Sequence, residues 1–422
     1  MPHQRERNAI QSSIAAREED DERCRSSQRR HRFAIKLAFD GTTYCGFQSQ
    51  PHGNTIQDQI EKRLHGLLVH QRRARYGRNS DDCGIRIEAW GRTDTGVHAL
   101  GAVITVNLFD EEVCKFATAM RSKEKKLLMN CKKEDGKFNE GTILLQTYEE
   151  VEDESETMIR AAQFLHSVLR EFACDAGDTN NIPGGFDSRY GSINAQSVIP
   201  VPLDFNPRYS AKWKRYVYYV YSAGAEGGLG GSLPFAWSRH SWQVNKVLNY
   251  DAMINAAAMI SNGEHNFEWL CVVQRGELRD TRRAVKLSVE RIQYQPMKNS
   301  NNALTLSCVH DDGQQQHQQP YFLRCFGDSS NNDVNAIYKI SCTCDFFLYK
   351  MMRRIVGVLI SVGGGDATLD DLRSCLDEFD NYCQCTQLNK NQINKPKVPS
   401  KLLNTAPAKG LCLDHIEYDI EI

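Results

Sequence analysis

Two spacings of apolar residues alternate along the chain. Residues 33–39 (FAIKLAF) and 212–221 are strand-prone runs. In residues 55–68 apolar side chains recur every three or four positions, which predicts a helix with Thr55 as its N-cap and Asp58 three residues later. Strands and helices interleave in both halves, which favours an α/β or α+β fold in which helices cover the sheets.

The remaining pattern adds a strand at 84–90 and three further helices, with ends marked by glycine. The helices are predicted at 156–172, at 251–260 before Asn262-Gly263, and at 347–362 before the glycines 363–365. Residues 174–188 are typical of a loop.

Composition shifts divide the chain into three parts. Residues 1–32 are polar, and we expect a disordered tail. Residues 33–200 form a predicted N-terminal half, whose alternating lysine and acidic clusters at about 110–156 indicate an insertion. Residues 201–422 form a C-terminal half with predicted low-complexity loops at about 297–335 and 386–404.

Composition excludes several classes of protein. In 422 residues, 41% are hydrophobic and the net charge is −1, so a wholly disordered chain and a histone-like polycation are both excluded. An anionic partner must therefore meet a local basic patch, such as residues 70–78 or 212–215, away from the acidic run 149–156. No apolar run approaches the roughly 20 residues of a membrane span, so we expect no membrane partner.

Fifteen cysteines, an odd number, occur without a recognisable secretory signal. This combination indicates reduced thiols and a cytoplasmic or nuclear protein. The acidic cluster 18–22 argues against a transit peptide but leaves an organellar location open. Two Cys-x-Cys pairs, Cys342/Cys344 and Cys383/Cys385, raise the question of zinc, but their spacing is shorter than zinc sites favour and no suitable histidines accompany them. We therefore expect no metal.

Asp94 lies in a glycine-bracketed turn directly after the predicted strand 84–90, a place where reactive groups are often presented. One alternative is an Asx turn, in which the carboxylate only caps its own backbone. A second is an aspartic protease, because residues 94–96 read Asp-Thr-Gly. That chemistry requires two carboxylates that share a proton, and the chain contains no second such tripeptide.

The whole stretch GRTDTGVHA at 91–99 resembles the catalytic loop of the TruA-type tRNA pseudouridine synthases, usually GRTDAGVHA. Further segments resemble that family's motifs in the same order: FDGTTYCGFQSQP, TIQDQIEKRL, FNPRYSAKWKRYVYYVY, NGEHNFEWL, FLYKMMRRIVG and TAPAKGLCL. The resemblance covers residues 33–418 apart from the insertions. It implies the pseudouridine synthase fold, with two similar halves, a largely antiparallel sheet flanked by helices, and a central cleft. Asn266 and Lys350 depart from the family pattern, which affects docking and site choice more than chemistry.

The resemblance assigns three catalytic residues. Asp94 matches the aspartate that attacks or stabilises the ribose C1′ while the bond to N1 of uracil breaks. Arg353 matches the arginine that pairs with this aspartate, although without the resemblance we would expect it, like Arg354, to be a solvated helix arginine. Tyr216 matches the tyrosine that packs on the uracil; strand alternation places it on one face with Lys214. On the opposite face, Tyr219 and Tyr221 are expected only to pack a core.

Four more residues are candidates for contact with the substrate RNA. Arg92 and Arg208 match family arginines near the flipped nucleotide. Together with Lys214 they form a local stripe of basic residues. A positive side chain near Asp94 is also expected physically, because a base inside a stem must be extruded to react. His98 is the weakest candidate, since a histidine in a turn more often caps backbone groups.

The resemblance implies an isomerase, an intramolecular transferase without cofactor, that converts tRNA uridines to pseudouridine, most specifically uridines 38–40 of the anticodon stem-loop. The expected partner is tRNA, and a homodimer stays open because family members differ in this respect. The alternative from another class is a non-catalytic RNA-binding or tRNA-chaperone protein on the same scaffold. Such a protein would be expected to have lost Asp94 or Arg353, and both are present.

Overall fold

The computed structural model describes nine stretches of the chain, residues 29–51, 53–76, 85–134, 153–170, 193–223, 238–272, 280–292, 335–388 and 395–422. The predicted loop at 174–188, residues 297–334 of the predicted loop at about 297–335, and residues 1–28 of the predicted tail 1–32 lie outside the described residues. Residues 30–32 of that tail belong instead to the first strand.

Strands and helices interleave along these stretches. The strands are β1 (Arg30–Phe39), β2 (Ile87–Ala89), β3 (His98–Phe109), β4 (Ile193–Val201), β5 (Trp213–Ala223), β6 (Trp242–Val244), β7 (Glu264–Asn266), β8 (Arg282–Ala284), β9 (Lys286–Ile292), β10 (Asn335–Cys344) and β11 (Leu411–Glu417). The helices are α1 (Ile56–Tyr76), α2 (Asp110–Glu134), α3 (Glu154–Leu169), α4 (Tyr250–Ile260), α5 (Met351–Gly363) and α6 (Leu369–Leu388). Short 3-10 helices lie at Phe267–Leu270, Ser400–Leu402 and Ala408–Gly410.

One mostly antiparallel sheet carries both halves of the chain. Its main path runs β4-β1-β3-β11-β5-β10-β9, with β2 beside β3 and β6 beside β5. The two halves join where the start of β11 pairs in parallel with His98 and Ala99 at the start of β3. The predicted fold class, mixed α and β with a largely antiparallel sheet flanked by helices, is confirmed. Because β3 begins four residues after Asp94, this junction brings the Asp94 turn beside the C-terminal half.

Each half has its own hydrophobic core, in which helices pack on strands. In the N-terminal half, Leu64 of α1 and Ile104 of β3 are fully buried in one cluster. In the C-terminal half, Ile355 of α5 and Ile340 of β10 are fully buried in another. Tyr216 of β5 packs against both clusters and therefore lies where the halves meet.

Helix α1 begins as its sequence predicts. The Asp58 backbone N–H donates to the Thr55 hydroxyl at 3.2 Å, and that hydroxyl donates to the Asp58 carboxylate at 2.6 Å. This arrangement satisfies donors that the first turn leaves without helical partners. The helix continues past the predicted end at 68 to Tyr76, through the basic segment.

Residues 110–156, whose charge clusters indicate an insertion, are partly helical. Residues 110–134 form α2, and α3 begins at Glu154, two residues before its predicted start. Only a short apolar face of α2 is buried among its described side chains, at Val113, Phe116 and Ala117. The Phe116 ring lies 4.7 Å from that of Phe164 in α3. Whether residues 110–156 are an insertion relative to related proteins stays a prediction.

Other boundaries also differ from the sequence pattern. Strand β2 covers only three residues of the predicted strand 84–90. Helix α5 begins at Met351 instead of 347, because Lys350 adopts a left-handed conformation (φ 61°) that cannot belong to a right-handed helix. Helix α6 extends to Leu388 and so enters the loop predicted at about 386–404. Leu402, within the same predicted loop, is buried.

Two expectations about the chain's environment can be compared with the described residues. None of the helices seen there combines the length and apolar character required to cross a membrane. Seven cysteines fall within the described side chains, and all are free thiols.

Candidate active site

A cleft of about 800 Å³ opens where the two halves meet, and both halves supply its walls. Five of the described residues that line it are cationic, and one, Asp94, is a carboxylate. The cations are Arg92, Arg208, Lys214, Lys350 and Arg353. This surplus of positive charge suits a polyanionic ligand.

The turn that carries Asp94 is held from behind by residues 41–47. The Phe47 N–H donates to the Thr93 carbonyl at 3.2 Å. Gly46 has φ +100°, and a Cβ there would lie 2.7 Å from the same carbonyl oxygen. A Cβ on Gly41 would lie 2.0 Å from the Val97 carbonyl oxygen. Both glycines therefore permit a backbone-to-backbone contact that fixes the position of Asp94.

Arg353 binds Asp94 across the cleft. Its Nη1 lies 2.9 Å from Oδ2 of Asp94, and its Nε donates to the Ala406 carbonyl at 2.7 Å. The Ala406 N–H in turn donates to the Arg353 carbonyl at 3.0 Å. The two side chains are only 16% and 26% exposed. The guanidinium is therefore held on two sides, and it fixes the rotamer of the carboxylate.

Strand β5 places its side chains on two faces as its alternation predicts. Lys214 and Tyr216 line the cleft. Tyr219 and Tyr221 lie in a separate buried cluster on the other face, as expected of residues that pack a core. Tyr216 contacts Phe347 edge to face, with ring centroids 4.8 Å apart.

The surroundings of β5 shift the pKa values of Lys214 and Tyr216 in opposite directions. Burial, with a smaller contribution from the charge of Arg208, lowers the pKa of the Lys214 ammonium to about 8. Burial, with a further contribution from the Asp94 charge, raises the pKa of the Tyr216 phenol well above its usual value. At neutral pH the lysine is mostly charged and the tyrosine is a neutral phenol.

Six of the seven predicted site residues come together in the cleft, and His98 does not line it. Lys214 is buried, Asp94, Tyr216 and Arg353 are partly buried, and Arg92 and Arg208 are exposed. The His98 ring is buried, with Nε2 3.1 Å from the Lys409 carbonyl oxygen and Nδ1 3.2 Å from the Gly41 amide nitrogen. Its role as an RNA contact stays a prediction that its position does not support.

Asp40, His98 and His240 form one group of metal-type ligands in the described part of the chain, with donor atoms within 4.8 Å of one another. Nδ1 of His98 lies 3.1 Å from Oδ1 of Asp40, while its other nitrogen contacts the Lys409 carbonyl. The ring nitrogens of His98 are thus engaged with protein atoms. We interpret the group as a brace that holds the start of β3 directly behind the Asp94 turn.

Cys342 and Cys344 are buried in β10, where burial raises the pKa of both thiols. The side chains of Cys383 and Cys385 lie outside the described residues.

Sequence reasoning was wrong about Arg354 and overlooked Arg283. Arg354 is not a solvated arginine, because its Nη1 donates to the carbonyls of Trp269 and Cys271 at 3.1 and 2.7 Å. Arg283 contacts the Phe346 ring at the cleft wall. Its only sequence signal is the pair Arg282-Arg283, whose members point to opposite faces of β8.

Comparison with known proteins supports the motif matches. A family model described as tRNA pseudouridine synthase matches residues 257–419. The chain is 24% identical over 384 residues to tRNA pseudouridine synthase A of Dictyoglomus thermophilum, covering 91% of this chain and 98% of the relative. It is 26% identical over 236 residues to the protein of the same name from Paraburkholderia xenovorans, covering 56% of each, and so spans about half the length of that relative. It is also 38% identical over 96 residues to tRNA pseudouridine synthase A of Streptococcus pneumoniae, covering 22% of this chain and 34% of that protein.

Proposed function

We propose that this chain, as a member of the TruA-type tRNA pseudouridine synthases, a family of isomerases that act on tRNA, converts uridines of tRNA to pseudouridine in the cleft between its halves. One observation carries the proposal. The only carboxylate among the described residues that line the cleft, Asp94, is held by Arg353 at 2.9 Å amid an excess of positive charge.

The reaction exchanges one bond of the ribose for another. The Asp94 carboxylate attacks C1′, or stabilises its positive charge, as the C1′–N1 bond breaks and the electron pair leaves with the uracil. The uracil turns, and its C5 bonds to C1′; any bond that Asp94 has formed to C1′ breaks in this step, and its electron pair returns to the carboxylate. The proton on C5 is lost and N1 gains one, so the product is an isomer of the substrate. Since no electrons pass to an acceptor, the reaction requires no redox cofactor.

Arg353 and Tyr216 have different roles in this scheme. Arg353 is a positioning residue that keeps the Asp94 carboxylate at one rotamer through its bonds to Asp94 and Ala406. Tyr216 packs on the uracil ring in this scheme. Its position in the cleft lining and its neutral phenol at neutral pH are consistent with that role. Its raised pKa makes a resident phenolate base unfavourable at neutral pH.

The cations of the cleft bind the RNA backbone or fill the space that the extruded base leaves in the stack. Arg92 is two residues from Asp94 and exposed, so it can reach the nucleotide that leaves the stack. Arg208 and Lys214 supply charge on the neighbouring wall.

Three finer statements belong to the same proposal. The substrate uridines are positions 38–40 of the anticodon stem-loop, as the resemblance implies. The free thiols favour the cytoplasm or the nucleus. A homodimer stays open, and light scattering of the purified chain decides it.

Conversion of unmodified tRNA transcripts tests the proposal. The purified chain is incubated with a transcript and with three variants in which uridine 38, 39 or 40 is replaced by cytidine, and pseudouridine is quantified in nucleoside digests. The proposal expects product that disappears when the target uridine is replaced. A chain that binds the transcript but forms no pseudouridine would favour the non-catalytic RNA-binding alternative.

A further inference from the structure

Three cations from separate segments surround the ring of Phe346 at the cleft wall. The guanidinium carbons of Arg208 and Arg283 lie 5.7 and 5.6 Å from the ring centroid, and the Lys214 ammonium lies 5.9 Å from it. Each distance is within the roughly 6 Å over which an aromatic face attracts a cation. Phe346, Arg208 and Lys214 all line the cleft. We call Arg208, Lys214 and Arg283 the Phe346 cation cluster.

No described carboxylate neutralises this cluster. Lys214 donates to the Trp90 carbonyl at 2.8 Å, and Nε of Arg283 donates to the Phe346 carbonyl at 2.9 Å. The one carboxylate among the described cleft residues, Asp94, is bound to Arg353. Three positive charges are therefore held together by neutral partners only.

Holding like charges together costs free energy, and Phe346 offsets part of that cost. An aromatic ring attracts cations through its quadrupole but carries no net charge. An acidic residue at this position would hold the same cations and neutralise them. The ring instead gathers the cations and leaves their charge available to a ligand.

We propose that Arg208, Lys214 and Arg283 together bind one phosphodiester group of the RNA strand, next to the nucleotide whose base enters the cleft. A planar guanidinium can donate two bonds to the oxygens of one phosphate, and the ammonium adds a point charge. The site assignment rests on the proposed function, because that function supplies RNA as the ligand. Arg283 and Phe346 thereby join the residues that position the substrate.

Neighbouring arginines of β8 provide the test. Arg283 belongs to the cluster, whereas Arg282 has its Nε 3.2 Å from the Glu264 carboxylate and serves as the matched control. Full-length Asp94→Asn protein, which binds RNA without converting it under the proposed mechanism, receives Arg283→Met, Arg283→Lys or Arg282→Met. Affinity for a fluorescently labelled anticodon stem-loop RNA is measured by anisotropy at several salt concentrations. Circular dichroism confirms that each variant is folded.

Loss of one phosphate contact has a recognisable signature. Arg283→Met should bind about tenfold more weakly at low salt, with a slope of log affinity against log salt that is shallower by about one. Arg283→Lys should keep the slope, and Arg282→Met should keep both the slope and the affinity. An unchanged slope in Arg283→Met, or an equal loss in Arg282→Met, would overturn the proposal.

A double variant tests whether the cations share one phosphate. Arg208 is exposed, so Arg208→Met removes charge with little risk to folding. The combined loss in Arg208→Met/Arg283→Met should be smaller than the product of the two single losses, because the first removal already frees the shared phosphate. A loss equal to the product would show two independent contacts and contradict a common site. If Arg283→Met fails to fold, the pair Arg208→Met and Lys214→Met is measured in the same way.

The subsite and the reaction can fail separately. Inorganic phosphate added at constant ionic strength should compete with RNA more strongly for the Asp94→Asn protein than for its Arg283→Met derivative, and equal competition would contradict the subsite. If the parent chain forms pseudouridine but Arg283→Met leaves the salt slope of binding unchanged, the subsite alone is refuted. If the salt slopes change as expected but the parent chain forms no pseudouridine, the subsite is supported and the reaction is refuted.

Discussion

Replacing Arg353 by lysine separates the geometry of the Asp94 pair from its charge. The guanidinium uses Nη1 to bind Asp94 and Nε to bind the Ala406 carbonyl, at 2.9 and 2.7 Å. An ammonium keeps the positive charge but has one nitrogen on a longer flexible stem, so it cannot reproduce both bonds in the same directions. We expect the Asp94 carboxylate to lose its fixed rotamer in Arg353→Lys.

The size of the effect follows from the bond that is lost. A hydrogen bond to a charged group contributes about 1.5–3 kcal/mol. If this loss falls wholly on the transition state, kcat decreases roughly 10- to 150-fold. The KM for tRNA should change little, because the pair does not contact the phosphate backbone in the proposed scheme.

Release of tritium from C5 of labelled uridine in tRNA measures this reaction directly, since C5 loses its hydrogen when it bonds to C1′. The neighbouring substitution Arg354→Lys is the control. Arg354 lies on the same helix, but its guanidinium binds the carbonyls of Trp269 and Cys271 and not Asp94. We expect its kcat to stay within about threefold of the parent. A kcat for Arg353→Lys within that range, or equal losses in both variants, would refute the positioning role.

Three further predictions concern packing and charge. Gly357→Ala places a Cβ 1.9 Å from the Asn404 carbonyl oxygen, so we expect at least about 1–3 kcal/mol lower unfolding free energy in urea; an unchanged value would contradict the close contact at α5. Phe116→Ala removes a ring that is 5% exposed and packs on Phe164, which should destabilise the protein by about 3–5 kcal/mol, whereas a change below about 1 kcal/mol would contradict the packed α2. RNA affinity should decrease as the pH rises from 7 to 9, because the Lys214 ammonium has a pKa of about 8 and loses its charge above it; a Lys214→Met variant should lack this component, and identical profiles would refute it.

Local pattern predicted those elements whose buried face repeats along the segment. Helix α1 buries Ile56, Ile60, Leu64 and Leu68 at helical spacing, and its Thr55 cap is a local interaction that needs no tertiary information. Helix α2 buries a short face near its start and is followed by lysines and acids. Its stability comes from packing on α3, which a periodicity argument cannot detect.

Contacts between distant segments were outside the reach of local pattern. The parallel pair of β3 and β11 joins residues more than three hundred positions apart, and it determines where the halves meet. The left-handed Lys350 delayed the start of α5, because one backbone conformation of a non-glycine residue leaves no periodic signal.

The site shows the same division. The Asp94 turn was recognisable from its motif, whereas the 2.9 Å bond between Asp94 and Arg353 joins side chains 259 positions apart. The motif resemblance supplied that pairing, and periodicity could not. No sequence motif indicates the contact of Arg283 with Phe346, which depends on how β8 packs against the segment before α5.

In the proposed reaction the Asp94 carboxylate attacks C1′ or stabilises its positive charge, and Asp94→Asn tests this role most directly. The amide keeps nearly the same shape and removes the negative charge. Pseudouridine in an unmodified tRNA transcript is quantified after prolonged incubation with excess Asp94→Asn protein, and tRNA affinity is measured in parallel. We predict no detectable pseudouridine, with an affinity within a few-fold of the parent chain. Conversion at the parent's rate, with binding intact, would contradict the role of Asp94 and the mechanism built on it.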